Sequence, residues 1–170
     1  MGFEATTFHA VATRAGLTRP AVNNYFASKS LLYGEVMCQV SNGVLEGIHL
    51  AAAAPTLREQ IARFVEVALV SRGDDPSVAG FLVQAALEAR RRPGLAGGES
   101  DAVALIEQFV RNAVTAADRR GELAPGVDPE VLADTLVGVV WGMAFQISSN
   151  ARPVVAEVGL LLSRGWLRDR

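Results

Sequence analysis

An all-α fold is predicted for this chain of 170 residues, on three observations. Apolar residues recur at i, i+3, i+4, i+7 and i+8, most completely at Ile61, Phe64, Val65, Ala68 and Leu69, which puts them on one face of a helix. Ser, Thr or Asp stands where such stretches begin, as at Thr6, Thr18, Ser28, Thr56, Asp75 and Asp128. Their side-chain oxygens can accept the orphan N–H groups of a first helical turn. Gly or Pro then interrupts the pattern and turns the chain. A composition 50% hydrophobic and 20% charged suits a folded protein with a real core.

The chain divides by its elements into a small head, residues 1–41, and a larger helical body, residues 42–170. The first short helix follows Thr6 and turns Phe8, Val11, Ala12 and Ala15 inward. Gly16 supplies the left-handed residue that ends it. Thr18 caps a second short helix, and Pro20 fits its first turn, where the N–H would be an orphan anyway. Val22 and Phe26 form the inward edge at i and i+4, which leaves Arg19, Asn23, Asn24 and Tyr25 outward. Two short helices joined by a tight Gly turn make the helix-turn-helix pattern, whose second helix enters the major groove of DNA. Ser28 caps a third helix and places Lys29, the only lysine in the chain, in its first turn. The helix dipole disfavours a cation there, so an anionic partner is expected.

With these residues in view, the stretch resembles the DNA-binding domain of the TetR family of bacterial transcriptional regulators. The correspondence runs through Thr6-Thr7, Val11-Ala12, Ala15-Gly16-Leu17-Thr18, Tyr25-Phe26, Ser28-Lys29 and Leu32-Tyr33. It covers the head alone and is specific as a combination. The resemblance implies a dimeric repressor whose C-terminal helical domain senses a small molecule and dimerises. It also implies phosphate contacts from Thr7, Tyr25 and Lys29, and base reading by residues between Thr18 and Asn24, Arg19 and Asn23 among them. Two positions of the second helix depart from the pattern. Asn23 stands where the family usually has a phosphate-binding Tyr, and Pro20-Ala21 where it usually has Gly-Thr. Asn23 can still donate to a phosphate or pair bidentately with adenine. The family also has an amphipathic helix ahead of the Gly-Phe that stands here as Gly2-Phe3. Its lack in this sequence predicts an incomplete head, with part of the apolar surface of Val11, Val22 and Phe26 facing water. Each large side chain so exposed forfeits roughly 1.5–3 kcal/mol.

The third helix is expected to run from Ser28 toward Ala54, with a kink or break near Asn42-Gly43 and an inward stripe of Val36, Val40, Val44 and Ile48. Thr56-Leu57-Arg58-Glu59 reads as a capping box opening the fourth helix, which Gly73 to Pro76 ends. The fifth holds Val78, Phe81, Leu82, Ala85, Ala86 and Ala89 inward and ends in Arg90-Arg91-Arg92. An arginine run in a last turn complements the helix dipole and is solvated there. Pro93 to Ser100 is a connector, without the Gly-Lys-Ser/Thr ending of a phosphate-binding loop. The sixth helix, Asp101 to Arg120, turns Ile106, Phe109, Val110, Ala113, Val114 and Ala117 inward. After a turn at Gly121 to Val127, Asp128-Pro129 opens the seventh, which reaches Ser149. The last is expected from Pro153 to Leu167.

The seventh helix is apolar nearly all round. Glu130, Asp134 and Gln146 spoil the uninterrupted run a membrane span needs. A helix buried against both its own domain and a partner subunit fits better. Gly138 and Gly142, with Gly159 and Ser163 on the last helix, allow close helix approach. Together with Trp166 they form the expected homodimer interface.

The formal net charge is −2. Arg14, Arg19 and Lys29 against Glu4 and Glu35 leave the head at +1 and the remainder at −3. DNA affinity must then come from placed contacts doubled in a dimer rather than from bulk charge. Cys38 is the only cysteine, so no internal disulfide and no thiolate zinc site can form; it is expected to be a small buried residue. No apolar signal segment opens the chain, so a cytoplasmic location is expected. His9 and His49 are the only histidines. Neither has a second ligand or base at a useful spacing, so no enzyme, metal or cofactor is expected. The expected partners are an operator in double-stranded DNA and a small-molecule effector. Phe64, Phe81, Phe109, Trp141 and Phe145 would line the effector's cavity, with Gln84 and Glu88 as polar contacts, and a mainly apolar ligand is implied. The alternative is a helical sensor or dimerisation module that no longer binds DNA.

Overall fold

The computed structural model describes residues 6–70, 77–91, 101–149 and 166–167. The described chain is all-α, and it divides into two compact units, Met1–Val40 and Ser41–Arg170.

In the first unit, α1 (Phe8–Arg14) and α2 (Arg19–Tyr25) form the helix-turn-helix. Thr7, one residue later than the expected Thr6, caps α1, accepting from the Ala10 N–H at 3.1 Å. The turn is a Schellman closure. Gly16 sits at φ 66°, the Leu17 N–H donates to the Ala12 carbonyl at 2.8 Å, and the Gly16 N–H donates to that of Thr13 at 3.3 Å. Ala12 and Val22 are buried, whereas Phe8, Val11 and Phe26 are half-buried and Ala15 is exposed. Ser28 caps α3 (Lys29–Ala52) through the Leu31 N–H at 3.2 Å.

α3 does not break at Asn42-Gly43. Its 24 residues are one helix, and Gly43 and Gly47 are buried in it. A Cβ added at Gly47 would lie 2.7 Å from the Ala68 Cβ, so this glycine serves a close crossing and not a hinge. The expected stripe narrows to Val44, with Val36 exposed and Val40 and Ile48 half-buried. Steps of four residues turn about 40° past a full circle each time, so an i+4 repeat drifts off the buried face. Cys38 is exposed, not buried as expected, because it falls outside that face.

In the second unit, α4 (Leu57–Phe64) opens on Thr56, which accepts from the Glu59 N–H at 3.3 Å while its hydroxyl donates to the Glu59 carboxylate at 2.9 Å. Beyond Phe64 the chain does not continue as α-helix. Val65–Val70 is a π-helical turn, whose wider winding still buries Val65, Ala68 and Leu69. Then come α5 (Ser77–Arg91), α6 (Ala102–Arg119, capped by Asp101) and α7 (Pro129–Ser148, capped by Asp128). The core joins Leu57, Ile61, Phe64, Leu82, Ile106, Val110, Leu136 and Val140, all essentially out of water. The Phe64 and Phe109 rings pack at 4.9 Å between centroids.

The connection from α6 to α7 repeats the closure of the head, with Gly121 at φ 70° and the Glu122 N–H donating to the Ala117 carbonyl at 3.0 Å. The Ala124 N–H donates to the Trp166 carbonyl at 3.0 Å, and Leu123 pairs with Leu167 as an isolated antiparallel bridge. Trp166 and Leu167 therefore lie in a turn and a bridge, not in the last turn of a helix. The rest of the expected last helix, with Gly159 and Ser163, lies outside the described residues, as do the turn at Gly73 to Pro76 and the connector Pro93 to Ser100.

Candidate functional site

The head presents its polar residues in one place. Thr18 caps α2 by accepting from the Ala21 N–H at 3.3 Å, and Pro20 sits in the first turn. The packing of Val22 fixes the roll of the helix. Arg19, Asn23 and Asn24 are then exposed, and Tyr25 is 81% exposed. None of these four side chains has an intramolecular hydrogen bond or ion pair among the described residues. A guanidinium, two amides and a phenol left unpaired along one short helix are the donor and acceptor set that reads base edges and phosphates. Thr7 is exposed beside the N-terminus of α1, and Lys29 is half-buried in the first turn of α3.

In the body, three helix faces converge on an open groove of about 730 Å³. α5 contributes Val83, Ala86, Leu87 and Arg90, α6 contributes Ala104, Glu107 and Arg111, and α7 contributes Asp134, Val137, Gly138 and Trp141. The spacing on α5 and α7 is i, i+3, i+4, i+7, one helical face each. Arg111 and Asp134 pair across the rim at 2.7 Å. Of the side chains expected to line an effector cavity, only Trp141 is among those around this groove. Phe64 and Phe109 are sealed against each other in the core. Phe145 is 61% exposed, because α7 turns one side to the core and the opposite side outward. Phe81, Gln84 and Glu88 lie on a different face of α5 from the groove residues, with Gln84 exposed and the other two half-buried.

The outward side of α7 carries Val131, Gly138, Gly142 and Phe145, all exposed. A Cβ at Gly138 or Gly142 would meet nothing within 4 Å. α7 is long and apolar enough to cross a membrane by length and composition, yet it packs against α5 and α6 as the central helix of the body. His9 and His49 are both exposed.

Sequence reasoning missed Glu122. It is buried, and its carboxylate accepts from the Leu57 N–H at 2.9 Å and from the Arg120 Nε at 2.5 Å. It thereby caps α4 from 65 residues away. A carboxylate inside a loop tripeptide Gly-Glu-Leu gives no local sign of this role.

The capped helix-turn-helix head and the helical body were compared with known proteins. Residues 1–36 match the family model described as bacterial regulatory proteins, tetR family. Two solved structures share the fold. One is PfmR, a TetR family transcriptional regulator from Thermus thermophilus, 20% identical, with 99% of this chain and 92% of that chain covered and a TM-score of 0.67. The other is a TetR-family transcriptional regulator from Rhodococcus sp., 14% identical, with 95% and 89% covered and a TM-score of 0.60. None of the curated proteins matches the sequence. The head thus matches the TetR-family model over residues 1–36, and the fold is that of the two TetR-family structures, as the sequence resemblance implied. The matched family and both structures are regulators, not enzymes.

Proposed function

We propose that this chain is a cytoplasmic repressor that binds an operator in double-stranded DNA as a homodimer and leaves it when a small molecule binds the body. The observation that carries this reading is the row of unpaired, exposed side chains on α2, held outward by the cap at Thr18 and the burial of Val22. In such a head, Arg19, Asn23 and Asn24 read bases, while Thr7, Tyr25 and Lys29 hold phosphates. The open space over Gly138 and Gly142, between the exposed Val131 and Phe145, supports a second copy packing on α7. The groove between α5, α6 and α7 supports an effector site. A helical sensor without DNA binding is the second reading, favoured by the thin core of the head.

Selection from a random duplex library, followed by anisotropy on the selected site, tests the proposal. Asn23→Ala should change preference at one or two base positions, costing about 1–3 kcal/mol there. Lys29→Ala should weaken all sequences alike and flatten the salt slope by about one. A chain that selects no sequence supports the second reading.

A further inference from the structure

We infer that the groove between α5, α6 and α7 takes an organic cation with an apolar body, held by Glu107 and Trp141. This deepens the effector reading above by naming a ligand class. The floor of the groove is mainly apolar, and its volume of about 730 Å³ falls within the range of pockets for drug-sized ligands. Its charged side chains are not equivalent. Arg111 and Asp134 neutralise each other at 2.7 Å. The Asp101 carboxylate accepts from the Val103 N–H at 3.0 Å as the cap of α6. Arg90 is exposed and solvated. Glu107 is half-buried, with no hydrogen bond or ion pair among the described residues. Arg111 stands one turn further along α6, but Asp134 holds it.

The Arg111–Asp134 bond also sets the register of α6 against the antiparallel α7. From that bond Glu107 lies about 6 Å along the axis, and Trp141 about 10 Å in the same direction. The half-buried Trp141 indole likewise has no ring or hydrogen-bond partner among the described residues. A carboxylate and an indole lining the same groove suit a cation twice over, through charge and through the ring quadrupole. A neutral ligand would desolvate Glu107 without recompense, and an anion would meet it as a like charge.

The test uses a pair of probes of the same shape and opposite charge, tetraphenylphosphonium and tetraphenylborate, titrated by calorimetry into the purified chain without DNA. The phosphonium should bind at least about tenfold tighter than the borate. Glu107→Gln, which keeps the shape, should weaken the phosphonium by about fivefold or more and leave the borate unchanged or tighter. Ala104→Phe, at an exposed position of the groove wall, should block the phosphonium while the helical circular dichroism stays unchanged. Equal binding of the two probes, equal loss of both in Glu107→Gln, or no phosphonium binding at millimolar concentration would each overturn the inference. Because no DNA is present, failure here is separate from failure of the repressor reading, which the operator selection decides.

Discussion

Two helix pairs in this protein are closed by the same turn and end up with opposite uses. In the head, α1 and α2 meet at Gly16; in the body, α6 and α7 meet across a loop that begins at Gly121. Both glycines are left-handed, at φ 66° and 70°, and both turns carry the same two backbone bonds. The head helices are 7 residues each and bury Ala12 and Val22. Those of the body are 18 and 20 residues and bury whole faces, from Ile106 to Ala117 and from Leu132 to Ala144. Identical turn chemistry thus gives a packed core in one place and a presented surface in the other. Helix length decides the difference, since two turns cannot both bury a stripe and display a row of polar side chains at no cost in stability.

The comparison breaks most sharply at the core. Phe64→Ala removes a ring packed on Phe109 and should destabilise the body by about 3–5 kcal/mol in denaturant unfolding. Val22→Ala in the head removes two methyl groups' worth of burial and should cost about 1.5 kcal/mol. Native-state hydrogen exchange should agree, with the weakest protection in α1 and α2 and the strongest in α6 and α7. Equal losses from the two substitutions, or equal protection, would mean that burial is not what separates the units.

Next in size is Glu122, a loop residue that caps α4 from 65 residues away. Glu122→Ala leaves the buried Leu57 N–H without an acceptor, which should cost about 1–3 kcal/mol. Glu122→Gln keeps a carbonyl oxygen for that N–H and should cost clearly less. If the two variants melt together, the bond to Leu57 is not what Glu122 contributes.

What could be read from the sequence was local. The caps at Thr18, Ser28, Thr56 and Asp128 and the turn at Gly16 depend on a residue and its next three neighbours, and each is where the residues place it. The inward face of the fourth helix was equally legible through Val65, Ala68 and Leu69. Its conversion to a π-turn was not, because an extra residue per turn leaves the same side chains buried. The role of Gly47 was not legible, since it is set by Ala68, a residue 21 positions away. Phe145 read as cavity lining because α7 is apolar on every side, and periodicity cannot orient a helix that has no polar face. The polar row on α2 was legible for the opposite reason. The groove between α5, α6 and α7 was not, since it needs three helix faces brought together.

The smallest expected effect sharpens the comparison furthest, because it uses matched bonds. Thr18 and Thr56 each cap a helix by accepting from the third N–H at 3.3 Å. Removing either hydroxyl should cost about 1 kcal/mol. The loss should spread differently. In the body, α4 is tied into the core through Leu57, Ile61 and Phe64, so Thr56→Ala should lower the melting temperature of the whole unit by about 2–4 °C. In the head, α2 has Val22 as its one buried residue, so Thr18→Ala should open α1 and α2 alone. Exchange there should quicken about fivefold while the melting temperature of the body stays fixed. Operator affinity should fall by a similar factor, since the row from Arg19 to Tyr25 is presented only while α2 is formed. If Thr18→Ala lowers the body's melting temperature as much as Thr56→Ala does, the head and body unfold as one cooperative unit. The contrast between them would then be one of shape and not of stability.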